Sequence, residues 1–591
     1  MPGLESLEVE LLSWIFELID DTSPATLRSL ALVNKYFNAT TKLVAHRHKT
    51  LNYTPLNWKN DATEVQQWLQ SEDILRGLRY LTVENVYTSD SDENPEVKWR
   101  ELALLIEKLG NVKLLVWNHG SMIPLPILNA LHTHQKKAEL QIYKFERNEQ
   151  TADEHDPAEL ALAASPALTA IKASFQNNGD HPDLRDACFK RIVAQAPNLR
   201  FASLSRYSAG CVIHGISQDQ WEEKRKLEEK FYVHQSPNGS LRRLTLDGYG
   251  MSGAILDHWA RFVDLTKLDN IKCSSGRPEI SYFERAPVLL TGLKDVSLNF
   301  SYGMDGSAIH AAVENYLSTT APLRSLSLWS WMGKLSLSSV LARHGDSLEV
   351  LQLHERESAS ELSSDRRKVL TADDVKSIRL SCPKLRDLTI DCDRPSELLD
   401  TEIESDAVLK ELKEMETLSR LQIYYDLGLS HIAHSRARPV PDPRSAADND
   451  SSSDDDADRE DSEGEDEEAD EIDDDEDPPG RVNLGLPPSS AESIKAYVSE
   501  LWKFIFGHRS NPGVLEVKVG EWERKIGGGY PVQWVLQEAS MRTRWIVKAD
   551  ERDDRKGQCT VTQFGGEGLA RQPWSGATPG LRAFGPGTLF G

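Results

Sequence analysis

Apolar residues recur along most of this chain in a short pattern, apolar-x-x-apolar-x-apolar. Clear copies begin at Leu78, Leu241, Leu323, Leu348, Leu385 and Leu418, and weaker ones centre on Leu115, Leu140, Ile171, Ala202, Leu268 and Val296. The copies follow one another about every 31 residues, and the alternation within each copy is typical of a strand buried on one face. An apolar helical stretch comes before most of them, as at residues 309–317. The spacing predicts an array of strand–helix units that bury their apolar faces against one another.

The first fifty residues have a different apolar pattern. Leu7, Leu11, Leu12, Ile15, Phe16 and Ile19 recur in steps of three and four, which predicts an amphipathic helix that ends near residues 20–22. Ser23 and Pro24 are suited to start a second helix, because serine caps free backbone N–H groups and proline fits the first turn. A third, more basic helix is expected through His48. Three such short helices bury too little apolar surface to be stable alone.

These fifty residues resemble an F-box. The family pattern is L-P-x-E-[IL]-L-x-x-I-[LF], a spacer, and L-x-x-L-x-L-V-x-K-x-[FW]. This chain matches it with Leu7 to Phe16, then Leu27, Leu30, residues 32–35 and Phe37, and departs from it at Glu8, where proline is usual. The repeats that follow are similar to the long, irregular leucine-rich repeats found behind an F-box. A helical cap on a larger domain is the alternative interpretation of the N-terminus, and a conventional α/β domain is the alternative for the repeats.

The resemblance implies an α/β solenoid, an irregular leucine-rich-repeat array preceded by a small three-helix F-box. It also implies that the F-box docks on an adaptor of the SKP family, and through it on a cullin. The residues expected in that contact, or in the small core behind it, are Leu7, Leu11, Ile15, Phe16, Leu30, Val33 and Phe37.

Charge is unevenly distributed along the 591 residues. The formal net charge is −25, but residues 448–477 hold 20 acidic residues and one basic residue, so this segment contributes −19 and the rest −6. The balance disfavours nucleic acid as a partner, because phosphate binding requires a positive surface. A block of like charges cannot collapse, which predicts a disordered acidic insertion over residues 431–487. Within it, an acidic residue three positions on marks serines that casein kinase II could phosphorylate: Ser451, Ser452, Ser453 and Ser462.

The predicted organisation has five parts. An F-box-like domain over residues 1–50 precedes a repeat solenoid over 51–430, and the acidic insertion follows it. Residues 488–550 contain a terminal repeat and a cap, and residues 551–591 form a flexible tail. The N-terminus lacks the basic start of a signal peptide, and no apolar run approaches the roughly 20 residues that span a bilayer. We therefore expect a protein of the cytoplasm, the nucleus or both, with no membrane partner.

One glycine motif is similar to a cofactor-binding sequence. Residues 248–253 read G-Y-G-M-S-G, after a predicted strand and before a predicted helix, as in a dinucleotide-binding turn. However, Asp269 lies too close in sequence to be the acid that such a site needs, and the repeat pattern already predicts strand–turn–helix here. The pairs His46/His48 and His132/His134 lack a third metal ligand. We expect no metal, no cofactor and no catalysis, with a dinucleotide-binding enzyme as the remote alternative.

In each predicted strand, residues between the leucines point to the opposite, concave face. Those singled out as contacts for a target protein are Arg243, Asn299, Trp329, Trp331, His354, Asp391 and Tyr424. The sequence thus predicts the substrate-recognition subunit of an SCF-type ubiquitin ligase (SKP adaptor, cullin and F-box protein). It would hold an unidentified target on its repeats. The alternative is a scaffold that binds the adaptor without causing degradation.

Overall fold

A computed structural model describes residues 7–22, 24–52, 58–84, 95–147, 156–177, 184–208, 237–273, 278–300, 306–355, 367–393, 400–425, 491–519, 543–549 and 558–565. The chain forms two compact units. The first contains Met1–Ser297 and Tyr302–Leu323, and the second contains Leu298–Ser301 and Arg324–Gly591.

The first unit begins with helices and continues as strand–helix repeats. Its helices are α1 (Val9–Thr22), α2 (Pro24–Ala31), α3 (Lys35–Ala45), α4 (Trp58–Gln70), α5 (Glu72–Gly77), α6 (Pro95–Lys108), α7 (Leu125–His134), α8 (Pro157–Ala163), α9 (Leu184–Gln195), α10 (Gly253–Trp259), α11 (Ile280–Leu289) and α12 (Ser307–Thr319). Its strands are β1 (His48–Asn52), β2 (Tyr80–Glu84), β3 (Leu114–Asn118), β4 (Glu139–Phe145), β5 (Leu168–Asn177), β6 (Phe201–Ser208), β7 (Arg243–Asp247), β8 (Asn270–Cys273) and β9 (Asp295–Asn299), of which the last two residues are assigned to the second unit.

Each strand of the first unit pairs in parallel with its neighbour in the chain. The register aligns the leucines of the sequence pattern. Leu81 lies opposite Leu115, and Leu115 lies opposite Leu140. These residues are fully or almost fully buried, so one sheet face carries the core and the intervening residues lie on the other face.

The second unit continues the repeats and ends differently. Its helices are α13 (Leu337–His344), α14 (Ala372–Ser381), α15 (Asp400–Ser405), α16 (Ala407–Lys413) and α17 (Ala491–Phe506). Its strands are β10 (Ser325–Trp329), β11 (Val350–His354), β12 (Asp387–Asp391), β13 (Arg420–Tyr425), β14 (Val514–Val519), β15 (Thr543–Ala549) and β16 (Cys559–Gly565). Strands β10 to β14 are parallel, whereas β15 and β16 are added antiparallel.

The predicted array of strand–helix repeats is confirmed, and three local expectations are wrong. The third helix ends at Ala45, and His48 starts strand β1, which was missed because Leu51 is its one apolar residue. The weak copy placed on Leu268 is centred on Ile271, since β8 begins at Asn270. The tail expected to be flexible contains strand β16. No helix in the described part of the chain has the length and apolarity to cross a membrane.

Candidate functional site

The three N-terminal helices enclose a small apolar core. Its buried members are Leu12, Phe16, Leu27, Phe37 and Val44. The rings of Phe16 and Phe37 meet edge to face with their centroids 5.4 Å apart, an arrangement that aromatic pairs prefer. Ile15, Ile19, Leu30 and Tyr36 pack around this core and are partly buried. The helices α1, α2 and α3 therefore form a bundle with a core of its own.

Polar contacts fix the helix ends and join the bundle to the first repeat. Asn34 caps α3 by accepting a hydrogen bond from the Phe37 backbone N–H at 2.7 Å. Asn38 Nδ2 donates to the Ala31 carbonyl at the end of α2, at 3.0 Å. Gly77 of α5 lies so close to α3 that an added Cβ would come within 2.6 Å of the Leu43 carbonyl oxygen. The bundle is thus packed directly against the start of the repeats.

Several large apolar side chains of the bundle are exposed. Leu11, Trp14 and Leu18 lie along one side of α1 with 45%, 66% and 67% exposure, and Leu32 and Val33 in the α2–α3 turn have 86% and 60%. Such residues cost free energy in water, about 1.5–3 kcal/mol per large side chain relative to burial. These five residues are called the exposed apolar surface below. The three residues on α1 form a stripe, and exposed apolar residues grouped in this way mark sites of protein association.

The expected adaptor contacts divide between this surface and the core. Leu11 and Val33 belong to the exposed apolar surface, and Leu7, Ile15 and Leu30 are half-buried. Phe16 and Phe37 are 0% and 4% exposed, so they can only support a contact from behind. Trp14 and Leu18 were missed because one apolar face was assigned to α1, and Leu32, in the α2–α3 turn, was matched to the family pattern without being counted as a contact. At about 100° per residue, Leu11, Trp14 and Leu18 form a second stripe on that helix.

In the second unit, four residues expected on the concave face meet at the strand ends. The His354 ring lies 4.7 Å from that of Trp329 and 4.2 Å from that of Tyr424. His354 Nδ1 donates to Asp391 Oδ1 at 2.7 Å, and Arg367 Nη1 lies 3.3 Å from the same oxygen. His354, Asp391 and Tyr424 are at most 3% exposed. We call Trp329, His354, Asp391, Tyr424 and Arg367 the strand-end cluster.

Charged residues continue from this cluster along β14. Lys518 Nζ donates to the Tyr424 hydroxyl at 3.0 Å. Glu516, which is 2% exposed, accepts from Arg420 Nη2 at 3.0 Å and from Arg544 Nε at 2.7 Å. Burial alone would raise the pKa of Glu516, but Lys518, Arg420 and Arg544 together lower it below its usual value. These contacts join adjacent strands, β13 to β15, through one carboxylate.

The strand-end cluster is therefore a largely buried set of contacts between neighbouring strands rather than an open binding surface. Of the expected target contacts, Arg243 and Asn299 are exposed and Trp329 is half-buried, whereas His354, Asp391 and Tyr424 are buried. Trp331 does not share the face of Trp329. Strand β10 ends at Trp329, Ser330 adopts a φ of 54°, and Trp331 is 4% exposed. The left-handed turn at Ser330 breaks the alternation on which the expectation depended.

The same sheet face of the first unit carries half-buried aromatic residues. Lys172 Nζ lies 4.4 Å from the ring centroid of Tyr143 and 5.5 Å from that of Phe201. Desolvation by burial lowers the pKa of Lys172. Tyr80 stacks on His48 with the ring centroids 4.5 Å apart. We call Tyr143, Lys172 and Phe201 the aromatic patch. Tyr143 and Phe201 were missed because they lie in weaker copies of the repeat, although they occupy the alternate positions that predict this face.

The glycine turn at residues 248–253 is filled by neighbouring repeats. Gly248 has a φ of 85°, and a Cβ there would lie 2.2 Å from the Arg206 carbonyl oxygen. The Gly253 backbone N–H donates to Ser281 Oγ at 3.0 Å, so it is not free for a phosphate. The carboxylate of Asp269 pairs with Lys294 Nζ at 2.7 Å. These contacts explain the glycines by repeat packing and argue against dinucleotide binding at this turn.

The histidine pairs considered in the sequence make other contacts, and the serine candidates are not described. His48 stacks on Tyr80, and His132 Nε2 hydrogen-bonds Ser165 Oγ at 2.7 Å. Within the described ranges no three His, Cys, Asp or Glu side chains are grouped to hold a metal ion. Ser451, Ser452, Ser453 and Ser462 lie outside the described residues, as does the acidic insertion.

Comparisons with known proteins leave the family open. No family model matches the chain, and no curated protein matches it. One similar solved structure is a crystal structure of a TLR13–ssRNA13 complex, with 12% sequence identity and a TM-score of 0.28. The match covers 64% of this chain and 45% of that chain, so this chain spans less than half of that neighbour. A TM-score this low does not define a fold, and the fold assignment depends on the strand pattern itself.

Proposed function

We propose that this protein is a substrate-recognition subunit of an SCF-type ubiquitin ligase. The exposed apolar surface of the N-terminal bundle docks on an SKP-family adaptor, which connects it to a cullin. The repeats hold a target protein near the ubiquitin-carrying enzyme, so that catalysis is supplied by proximity and by other subunits.

The observation that carries the proposal is the division of apolar residues on α1. Leu12 and Phe16 fill the core, so the bundle does not need Leu11, Trp14 or Leu18 for its own packing, yet these remain at the surface. A helix that is apolar on a second side is explained by a partner that covers it. The F-box resemblance implies that this partner is an adaptor of the SKP family.

On the repeats, the aromatic patch is the part of the strand face best suited to a target. Tyr143 and Phe201 are half-buried and combine apolar area with a nearby cation, Lys172. Aromatic side chains dominate binding interfaces because they bury much area at a small cost in rotamer entropy. His354, Asp391 and Tyr424 of the strand-end cluster are excluded from this role by their burial.

The adaptor contact is tested by binding of purified adaptor to the full chain. Trp14→Asp combined with Leu32→Asp should weaken binding at least 100-fold, because both side chains are largely exposed and would be buried in the contact. The matched control is Leu380→Asp combined with Val288→Asp. These residues are 66% and 62% exposed on other helices, and their replacement should leave binding unchanged.

Both double variants should keep the wild-type melting temperature, since none of the four side chains is buried. Undiminished adaptor binding by the Trp14/Leu32 variant would refute the proposal. Copurification then separates a ligase from a scaffold. Adaptor together with cullin supports the ligase, whereas adaptor alone supports the non-degradative scaffold.

A further inference from the structure

The aromatic patch of the first unit continues onto the strands on either side. Phe201 of β6 lies opposite Arg243 of β7 in the parallel pairing. On the other side, Val116 of β3 occupies an alternate, half-buried position on the same sheet face. From β3 to β7 the face thus presents one residue from each strand: Val116, Tyr143, Lys172, Phe201 and Arg243. We call these five residues the extended patch.

The β7 end of the extended patch carries positive charge. Arg243 is exposed and forms no ion pair with any described residue. The carboxylates of the same face are engaged or distant. Glu139 Oε2 accepts a hydrogen bond from Thr169 Oγ1 at 3.4 Å, and Glu139 Oε1 lies 3.9 Å from Arg200 Nη1. Asp247 is at the opposite end of β7, about 13 Å from Arg243 along the strand. A partner at this end of the patch is therefore favoured if it brings negative charge.

Lys172, the second cation of the patch, is positioned by the rings on both sides. Its Nζ lies 4.4 Å from the ring centroid of Tyr143 and 5.5 Å from that of Phe201. The Tyr143 hydroxyl donates to Gln141 Oε1 at 2.8 Å, which orients its ring. A cation that is already held in place loses little rotamer freedom when it pairs with a carboxylate. Such a pair also offsets the desolvation that lowers the pKa of Lys172.

The spacing of the patch fits a peptide in extended conformation. Adjacent strands lie about 4.8 Å apart, so the strands of Arg243 and Lys172 are separated by about 10 Å and β3 to β7 cover about 19 Å. Every second side chain of an extended peptide points the same way, at steps of about 6.6 Å. Four such side chains span about 20 Å, which matches the width of the patch. The long stems of Lys172 and Arg243 cover the remaining differences in position.

We propose that the extended patch binds an acidic, extended segment of the target protein. Two carboxylates of this segment pair with Arg243 and Lys172, and the apolar side chains that follow them pack on Tyr143 and Val116. The inference rests on the proposed function, because it names the class of target that the repeats would hold. All five residues of the patch belong to the first unit.

Peptide binding to the purified full chain tests the class of target. Isothermal titration calorimetry is carried out with the peptide Gly-Glu-Ser-Glu-Ser-Leu-Ser-Leu-Gly, whose glutamates and leucines occupy alternate positions. Glutamine in place of both glutamates should weaken binding about 10-fold, and the affinity of the parent peptide should fall as salt is added. Equal affinity for the two peptides would overturn the proposal. Tighter binding of the same peptide with lysine in place of glutamate would also overturn it.

Two substitutions locate the contact. Arg243→Gln should weaken binding of the parent peptide about 10-fold without a change in melting temperature, because this side chain is exposed. Lys172→Met should have a similar effect on binding, since it removes the charge and keeps an apolar stem between the rings. Lys108→Gln combined with Lys267→Gln is the matched control. Both lysines are exposed, on α6 and in the turn before β8, and their replacement should leave binding unchanged. Unchanged affinity of the Arg243→Gln variant contradicts the proposal.

The adaptor-binding variant separates this inference from the proposed function. Trp14→Asp combined with Leu32→Asp should bind the parent peptide as tightly as wild type, because both residues lie in the N-terminal bundle. Loss of peptide binding with normal adaptor binding would refute the class of target alone. Normal peptide binding by a chain that does not bind the adaptor would refute the ligase assignment and leave the acidic target in place.

Discussion

At the scale of single residues, charge is buried where open surface was expected. Asp391 receives hydrogen bonds from His354 and the Glu355 backbone N–H, and it faces Arg367. Removing one partner of such a buried group leaves the others without compensation, which costs about 3–5 kcal/mol. Substitutions in the strand-end cluster should therefore act through folding. A loss of target binding after such a change would not identify a contact with the target.

The contribution of a buried carboxylate to stability can be tested at Glu516 through its dependence on pH. Its pKa is lowered in the folded protein, so the stability it contributes is present above its unfolded pKa, about 4.5, and is lost as pH falls through the folded pKa. Glu516→Gln should lower the free energy of unfolding at pH 7, and the difference from wild type should shrink below about pH 4.5. Urea unfolding of both proteins at several pH values measures this difference. A difference in unfolding free energy that stays constant down to about pH 3 would contradict the stabilising role of the ionised Glu516.

At the scale of elements, the strand-to-helix turn at Gly248 shows why a glycine motif was misleading. Gly248→Ala should destabilise the protein by more than about 1 kcal/mol, because φ is 85° and the added Cβ would collide with the Arg206 carbonyl. Gly239→Ala is the matched control, since no atom lies within 4 Å of a Cβ there. Thermal melts of the two variants give the comparison. Equal melting temperatures would show that packing does not require this glycine.

The elements also show what the sequence could and could not predict. Strands β2, β7 and β10 to β13 were located because leucines at fixed spacing carry the core of each repeat. The two sides of α1 were not distinguished, since the exposed stripe of Leu11, Trp14 and Leu18 and the core stripe have the same apolar composition. The sequence predicted that Trp329, His354, Asp391 and Tyr424 lie on the same sheet face, but it did not predict that most of them are buried. Burial there depends on Arg367 and Lys518, which are distant in sequence.

At the scale of the whole molecule, the middle of the repeat array could be predicted and its ends could not. A central strand must bury its apolar residues against neighbours on both sides, so the apolar pattern recurs there, clearly at β2, β7 and β10 to β13 and more weakly at β3 to β6, β8 and β9. The outermost described strands, β1 and β16, each pair with a strand on one side, and β1, β15 and β16 all lack the pattern. In repeat proteins, terminal units are atypical because they must cover the last apolar face.

The need to cover the last apolar face predicts the effect of truncating the second unit. Trp545 and Val547 of β15 are 2% and 0% exposed, and β15 pairs with β14 over Leu515–Val519. A chain that ends at residue 542 would leave β14 as an open edge with uncovered apolar residues, which promotes association through strand edges. Light scattering should detect aggregation of this chain, together with a lower melting temperature. A chain that ends at residue 565 keeps every described strand and should remain monodisperse with an unchanged melting temperature. Equal behaviour of the two truncated chains would show that β15 and β16 do not cap the array.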